Sequence, residues 1–386
     1  MKKIGLAVCY DTKNYGSQLQ VLATLKKIEE LGFETEIIRY KKKISPTFIV
    51  QTLPRLFNIP FIQAKINSKK KRNRIDKHDQ LRDDVKKRND RFNKFVTDYF
   101  TNLSEQYNGW ESLVRKSNQN YDTFLCGSDQ LWLPHNLGSH FYTLEFANDD
   151  KKKVAYATSF GVSEIPNNLK KGYKKFLNRF QFLSTREIAG QEIIKELTGK
   201  NAKVVCDPTL LFNSEQWMKI LPEEKVISEK YIFCYFLGDN NEHRNQAEIL
   251  SQKTGYKIVT IPFLDNFVER DLTFGDYKMF DIDTKDFVNL IRNAEYVLTD
   301  SFHGSIFSIL NHKKFITFNR YTSGKGSRNS RIDSLCHLLN LNDRRFEKNI
   351  LDNIFNDIDY DNVEIKLNEL RNASISYLID SLGATK

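Results

Sequence analysis

Short runs of β-branched and aromatic residues alternate with amphipathic stretches along most of this chain, in two successive series. That alternation is what parallel sheets covered by helices require. The first series opens with a strand over Lys3–Cys9, a turn from Asp11 to Gly16, a helix from Ser17 to Leu31 stopped by Gly32, and a strand over Glu34–Tyr40. In that helix Leu19, Leu22, Ala23, Leu25 and Ile28 give an apolar face at helical spacing. A helix over Arg82–Asp98, strands at Tyr121–Cys126 and Lys153–Thr158, a helix at Lys170–Phe180, a strand at Gln181–Thr185, a helix at Ile188–Leu197 and a strand at Ala202–Cys206 complete the series. Asp207-Pro208-Thr209 breaks the pattern, and the polar stretch Pro222–Lys225 reads as a joint. The second series has strands at Tyr231–Leu237, Lys257–Ile261, Tyr296–Thr299 and Lys314–Phe318. Helices at Glu242–Thr254, Thr284–Arg292, Gly304–Leu310 and Arg331–Leu339 lie among them, and an amphipathic tail over Val363–Leu382 follows.

At 386 residues the chain exceeds what one hydrophobic core usually serves. We therefore expect one domain over 1–226, a second over 227–345, and a helical tail over 346–386 that packs back on the first. The expected fold class is α/β: two Rossmann-like βαβ domains in a glycosyltransferase-B-like arrangement. A cleft between them would hold ligands at the carboxyl ends of the strands.

The net charge of +10 is concentrated in one place. Residues 39–94 hold 18 Lys/Arg against 5 Asp/Glu, a balance of +13, which leaves −3 for the rest. Within an insertion at about 39–98, Lys41-Lys42-Lys43 precedes the apolar Phe48-Ile49-Val50 and Leu53–Ile62, and Lys69-Lys70-Lys71-Arg72-Asn73-Arg74 follows. Such interleaving suits contact with an anionic membrane surface, and equally a solvated insertion. No nucleic-acid motif accompanies the charge, and no nucleic-acid partner is expected. The five cysteines form no C-x-x-C pair, so they read as free thiols of a reducing compartment. The apolar N-terminal run is too short for a signal peptide and no stretch suffices to span a bilayer, so a cytoplasmic protein is expected.

Four loops at strand ends carry the chemistry. Asp300-Ser301-Phe302-His303-Gly304 lies between a strand end and a helix start, where unpaired N–H groups favour an anion. Ser301 and His303 add side-chain donors there, and histidine moves protons near neutral pH. The same spacing fits a capping Ser301 beside a structural histidine. Ser184-Thr185-Arg186-Glu187 occupies a similar position, and Arg186 suits bidentate contact with a carboxylate or phosphate. In Cys126-Gly127-Ser128-Asp129-Gln130-Leu131-Trp132, Gly127 permits close backbone approach. Asp129 there is suited to accept a hydroxyl proton or bond a sugar, and equally to cap a helix. Asn319–Arg331 holds Arg320, Lys325, Arg328 and Arg331 with two glycines, and reads as an anion clamp or a solvated basic loop.

Taken in order, five motifs resemble the polysaccharide pyruvyl transferase family. They are Asn14-Tyr15-Gly16-Ser17-Gln18-Leu19-Gln20 running into Ala23-Thr24-Leu25, the Gly127–Trp132 loop, Ser184–Glu187, Asp207-Pro208-Thr209-Leu210 and Ser301-Phe302-His303-Gly304. The resemblance covers about residues 3–340, apart from the basic insertion. It implies an enzyme that transfers pyruvate from phosphoenolpyruvate to a sugar of a cell-surface glycan, closing a cyclic ketal across two hydroxyls and releasing phosphate. No metal and no cofactor besides the donor substrate is implied. By motif position, Arg186 matches the family's donor-contacting arginine, and His303 matches the histidine proposed as general acid. Ser301 stands where several relatives carry arginine, so Lys325, Arg328 and Arg331 are candidates to replace that cation. Asp129, Glu187 and Asp300 are candidate bases, while Asn14, Gly16, Gly127, Ser301, Phe302 and Gly304 are candidate substrate contacts. The acceptor class implied is an oligosaccharide on polyprenyl diphosphate, with residues 39–94 docking the enzyme peripherally at the inner membrane face. A nucleotide-sugar glycosyltransferase of the same architecture and a non-catalytic glycan-binding relative are the alternatives.

Overall fold

The computed structural model describes residues 3–46, 53–320, 330–346 and 351–384. Strands β1 (Lys3–Ala7), β2 (Glu34–Lys41), β3 (Leu103–Asn108), β4 (Thr123–Cys126) and β5 (Lys152–Ala155) form a parallel sheet in the order β3-β2-β1-β4-β5. The short β6 (Ser184–Thr185) and β7 (Lys203–Val204) pair only with each other. A second parallel sheet contains β8 (Tyr231–Tyr235), β9 (Lys257–Thr260), β10 (Tyr277–Lys278), β11 (Tyr296–Thr299) and β12 (Lys314–Thr317), in the order β10-β9-β8-β11-β12. The two sheets thus share one winding order, the fold class that the alternating sequence predicts. Every residue of β4 and β8 is buried, as expected of central parallel strands covered on both faces.

β3 escaped the sequence reading. It is an edge strand of sequence LSEQYN with two buried residues, so it carries no apolar run to reveal it. The runs expected as strands at Gln181–Thr185 and Ala202–Cys206 shrink to two paired residues each.

The helix Tyr15–Glu30 departs further from expectation. Its sequence shows one apolar face, yet 13 of its 16 residues are buried, Gln18 and Gln20 among them. The reason is its position between the first sheet and the second half of the chain. Tyr15 stacks on Phe287 at 5.0 Å between ring centroids, and Thr284 Oγ1 donates to Gln18 Oε1 at 2.6 Å. Amide side chains satisfy polar groups on the face that would otherwise meet solvent.

The basic segment divides into two helices with opposite behaviour. In Asp79–Tyr99, Phe92 and Phe95 are buried, while Arg88 and Arg91 reach Asp265 and Asp281 of the second half at 2.9 and 2.7 Å. Ile59–Ile75, by contrast, has no buried residue. Phe48-Ile49-Val50 lie outside the described residues. The long helix Tyr360–Leu382 begins against the second sheet, where Tyr360 Oη donates to Lys313 O at 2.6 Å. It then crosses to the first half, where Arg371 Nε donates to Leu210 O, Ser374 Oγ accepts from Cys206 N and Tyr377 Oη donates to Ala155 O. Among the described residues no helix is long and apolar enough to cross a membrane.

Candidate functional site

With its first strand central, each sheet reverses its winding once, between β1 and β4 and between β8 and β11. Loops leaving such a point diverge and open a crevice at the carboxyl ends of the strands. Here the two crevices merge into one cavity of about 280 Å³. The loop after β1 contributes Cys9, Thr12 and Asn14, and the loop after β4 contributes Asp129 and Gln130. Leu237 follows β8, and Ser301, Phe302 and His303 follow β11; Ser17, Leu131, Asn136, Arg320 and Arg331 complete the wall. Larger depressions of about 580 and 800 Å³ lie beside the basic helices, and neither joins loops of both sheets.

Ser301 caps the helix Phe302–Leu310, its Oγ accepting from Gly304 N at 3.2 Å. The cap fixes the first turn and carries His303 across to the other half of the molecule. There the imidazole packs on the backbone of Gly16: a Cβ at that position would stand 2.0 Å from Nδ1. His303 Nε2 lies 2.7 Å from Gln20 Nε2 and 3.5 Å from Asp207 Oδ2. The Gln20 amide also donates to Asp207 Oδ2 at 2.9 Å. Its second N–H therefore faces a His303 Nε2 that accepts when the ring is neutral, and a protonated Nε2 turns its charge toward Asp207.

Asp207 is the hub. Its Oδ2 accepts from Arg186 Nη1 at 2.6 Å and from Ser128 Oγ at 3.4 Å, and its Oδ1 accepts from Thr209 N and Thr209 Oγ1 at 3.1 and 2.7 Å. Burial acts to raise this carboxyl, but His303, Arg186 and Thr209 outweigh it and hold it well below the usual carboxylate range.

Asp129 is the carboxylate on the cavity wall. It sits at φ 97°, a region L-residues rarely adopt, and such strain costs about 1–3 kcal/mol. Ser17 Oγ donates to its Oδ2 at 2.6 Å, Gln130 N donates to its Oδ1 at 2.7 Å, and Arg186 Nη2 is 3.9 Å away.

Cations surround Phe302. The Arg186 and Arg331 guanidiniums lie 5.1 and 5.3 Å from its ring centroid. Arg320 donates to Asp300 O at 3.0 Å. Arg186 Nε and Nη2, Arg320 Nε and Arg331 Nε are all buried with no hydrogen-bond partner. Burial, followed by the neighbouring Arg186, pushes the Arg331 guanidinium down to about 9. Unpartnered N–H donors on three adjacent cations are costly alone and are satisfied by an anion.

Other expected residues have different tasks. Glu187 Oε1 accepts from Ser159 Oγ and Phe160 N at 2.7 and 3.1 Å, and Glu187 does not line the cavity. Asp300 is buried behind the wall, where its Oδ1 accepts from Leu237 N at 2.7 Å. Gly127 and Gly304 are glycines for packing: a Cβ would meet Val8 Cγ1 and Thr299 Oγ1, each at 2.5 Å. Asn14 caps the helix Tyr15–Glu30 by accepting from Ser17 N. Arg186 is one layer behind the cavity, its side chain 1% exposed. Lys325 and Arg328 lie outside the described residues. Sequence reasoning did not select Gln20, Asp207, Ser17 or Arg320, although the first three fall within motifs it singled out and Arg320 within the basic loop.

The fold resembles that of glycosyltransferase-B-like sugar-nucleotide epimerases. A UDP-GlcNAc 2-epimerase from Neisseria meningitidis bound to UDP-GlcNAc superposes with a TM-score of 0.55 at 8% identity, covering 100% of both chains. The S. aureus MnaA–UDP complex gives 0.55 at 10% identity, covering 100% of this chain and 98% of the other. No curated protein sequence matches the chain. The polysaccharide pyruvyl transferase family model, however, matches residues 14–321. That span contains Asp129, Arg186, Asp207 and His303, and the chain belongs to the polysaccharide pyruvyl transferase family.

Proposed function

We propose that the protein transfers pyruvate from phosphoenolpyruvate to a sugar of a lipid-linked cell-surface glycan precursor, forming a pyruvate ketal. One observation carries the reading. Buried guanidinium N–H groups of Arg186 and Arg331 without hydrogen-bond partners flank Phe302, and Arg320, ion-paired to Asp300 at 3.6 Å, joins them on the cavity wall, beside a histidine held by Gln20 and Asp207. The donor is a compact anion with a carboxylate and a phosphate, and it meets both needs of that cluster. Arg320 and Arg331 line the cavity and would contact it directly, with Arg186 backing them. Arg331 supplies the cation that Ser301 lacks.

In the first step, protonated His303 delivers its proton to the methylene carbon of the donor while a sugar hydroxyl adds to the adjacent carbon. Asp129 takes the hydroxyl proton. Phosphate then leaves that carbon with its bonding electrons, and the second hydroxyl closes the ring, its proton passing to the now neutral His303. Proton transfers of this kind contribute about 10²–10⁴ in rate each, and holding the acceptor against the enol carbon supplies much of the rest. No cofactor beyond the donor enters the scheme.

The test is to incubate purified protein with phosphoenolpyruvate and a panel of polyprenyl-diphosphate oligosaccharides, following acceptor mass and phosphate release. A gain of one pyruvyl unit per phosphate is expected, and a fold-preserving H303A variant should lose turnover. Failure across the panel would sink the reading. The epimerases of like fold are bound to UDP or UDP-GlcNAc. Protection from thermal unfolding by UDP-sugars and not by phosphoenolpyruvate would therefore favour a nucleotide-sugar enzyme.

A further inference from the structure

Among the described residues, the helix Ile59–Ile75 stands apart from the other long helices because none of its residues is buried. A water-facing helix ordinarily carries polar residues on its free side. This one exposes Ile59 (60%), Ile62 (40%) and Ile66 (50%), and Phe57 just before it is 80% exposed. At 100° per residue the three isoleucines of the first two turns fall within an arc of about 60°, a short apolar row that runs into Lys70. The helix carries Lys65, Lys69, Lys70, Lys71, Arg72 and Arg74 with no acidic residue.

The helix is anchored. Asn58 Nδ2 donates to Pro134 O at 2.9 Å, and the Arg55 guanidinium donates to His135 O and stacks on Phe61 at 4.1 Å. A groove of about 800 Å³ runs beneath it, between Pro60, Ala64 and Asn67 on one side and Leu133–His135 on the other. Leu131 and Asn136, which flank that second wall in sequence, line the His303 cavity.

We propose that Ile59–Ile75 is an interfacial arm that lies on an anionic lipid surface, its isoleucine row among the acyl-chain boundary and its cations on the headgroups. Charge selects the surface and the apolar row selects lipid over nucleic acid, since a phosphate backbone offers nothing to a row of isoleucines. Under the transferase reading such docking holds the enzyme at the surface that carries a lipid-linked acceptor, but the docking itself does not depend on that reading.

Co-sedimentation of the full-length protein with phosphatidylglycerol-containing vesicles, and with phosphatidylcholine vesicles, tests the arm without any turnover. Binding to the anionic vesicles is expected, weakening as salt shortens the screening length to about 3 Å at 1 M. The exposed triple variant K69Q/K70Q/R74Q should lose about fivefold in affinity per charge at low salt. I59S/I62S/I66S, with the charge unchanged, should also bind about tenfold or more weakly. Circular dichroism and melting should show both variants folded. Absence of binding in the parent protein overturns the proposal, as does binding that the isoleucine variant leaves unchanged. Release of the parent from vesicles by polyuridylate, with the isoleucine variant binding as well as the parent, would identify a nucleic-acid surface. A shift from dimer to monomer in the isoleucine variant, without vesicle binding in the parent, would assign the row to a second copy of the chain.

Discussion

The imidazole of His303 rests on Gly16, a residue 287 positions earlier, so closely that a methyl group there would stand 2.0 Å from Nδ1. The contact joins the first turn of the first sheet's central helix to the loop after β11 of the second sheet. It defines where the His303 imidazole stands relative to the cavity.

Gly16→Ala tests that relationship directly. Alanine favours the helix by about 0.5–1 kcal/mol over glycine, so the fold should persist. The methyl must nevertheless push the ring aside, and misplacement of about 1 Å costs turnover roughly 100-fold. A kcat comparison, with circular dichroism as the control, checks this.

Asp129→Asn should keep the positive φ, which asparagine tolerates, while removing the carboxylate from the cavity. The expected result is a loss of about 10²–10⁴ in kcat with donor KM nearly unchanged. Equal kcat in the two proteins would assign the base elsewhere.

Asp207→Asn leaves Arg186 and His303 without their buried counter-charge, and breaking such a pair costs about 3–5 kcal/mol at neutral pH. The carboxyl titrates well below its unfolded value of about 4, so its contribution is complete above that pH. It is lost as the pH falls toward the depressed folded value. Urea unfolding between about pH 2 and 5 should show a shallower acid limb in the variant than in the parent.

Arg331→Gln should raise the KM for phosphoenolpyruvate by about 10- to 100-fold, the worth of a charge-assisted hydrogen bond, with kcat less affected.

The alternation of strands and helices made the fold class legible, because each element's periodicity depends on its own residues and on one covered face. His303 and Arg186 were singled out by motif position, since spacing alone fits a structural histidine as well, and the structure adds that both meet at Asp207. The pairing of Gln20 with Asp207 was not legible. A glutamine inside an apolar helix face and an aspartate before a proline each have bland local explanations, and only the approach of the second sheet makes them partners of one histidine. The basic segment gave the opposite lesson. Its charge was plain in the sequence, but its division into a helix paired across the molecule and a helix with no buried residue depends on where Asp265 and Asp281 lie.

The sequence alone therefore determined the parallel α/β architecture, the strand-end loops and the residue types they offer. Tertiary structure decided which of those residues meet. It brought Asp129, His303 and Arg331 to one cavity and turned Glu187 and Asp300 into buried supports. The physical reason is range: secondary structure follows from neighbours a few positions apart, whereas a site at the junction of two sheets is set by packing between residues hundreds of positions apart.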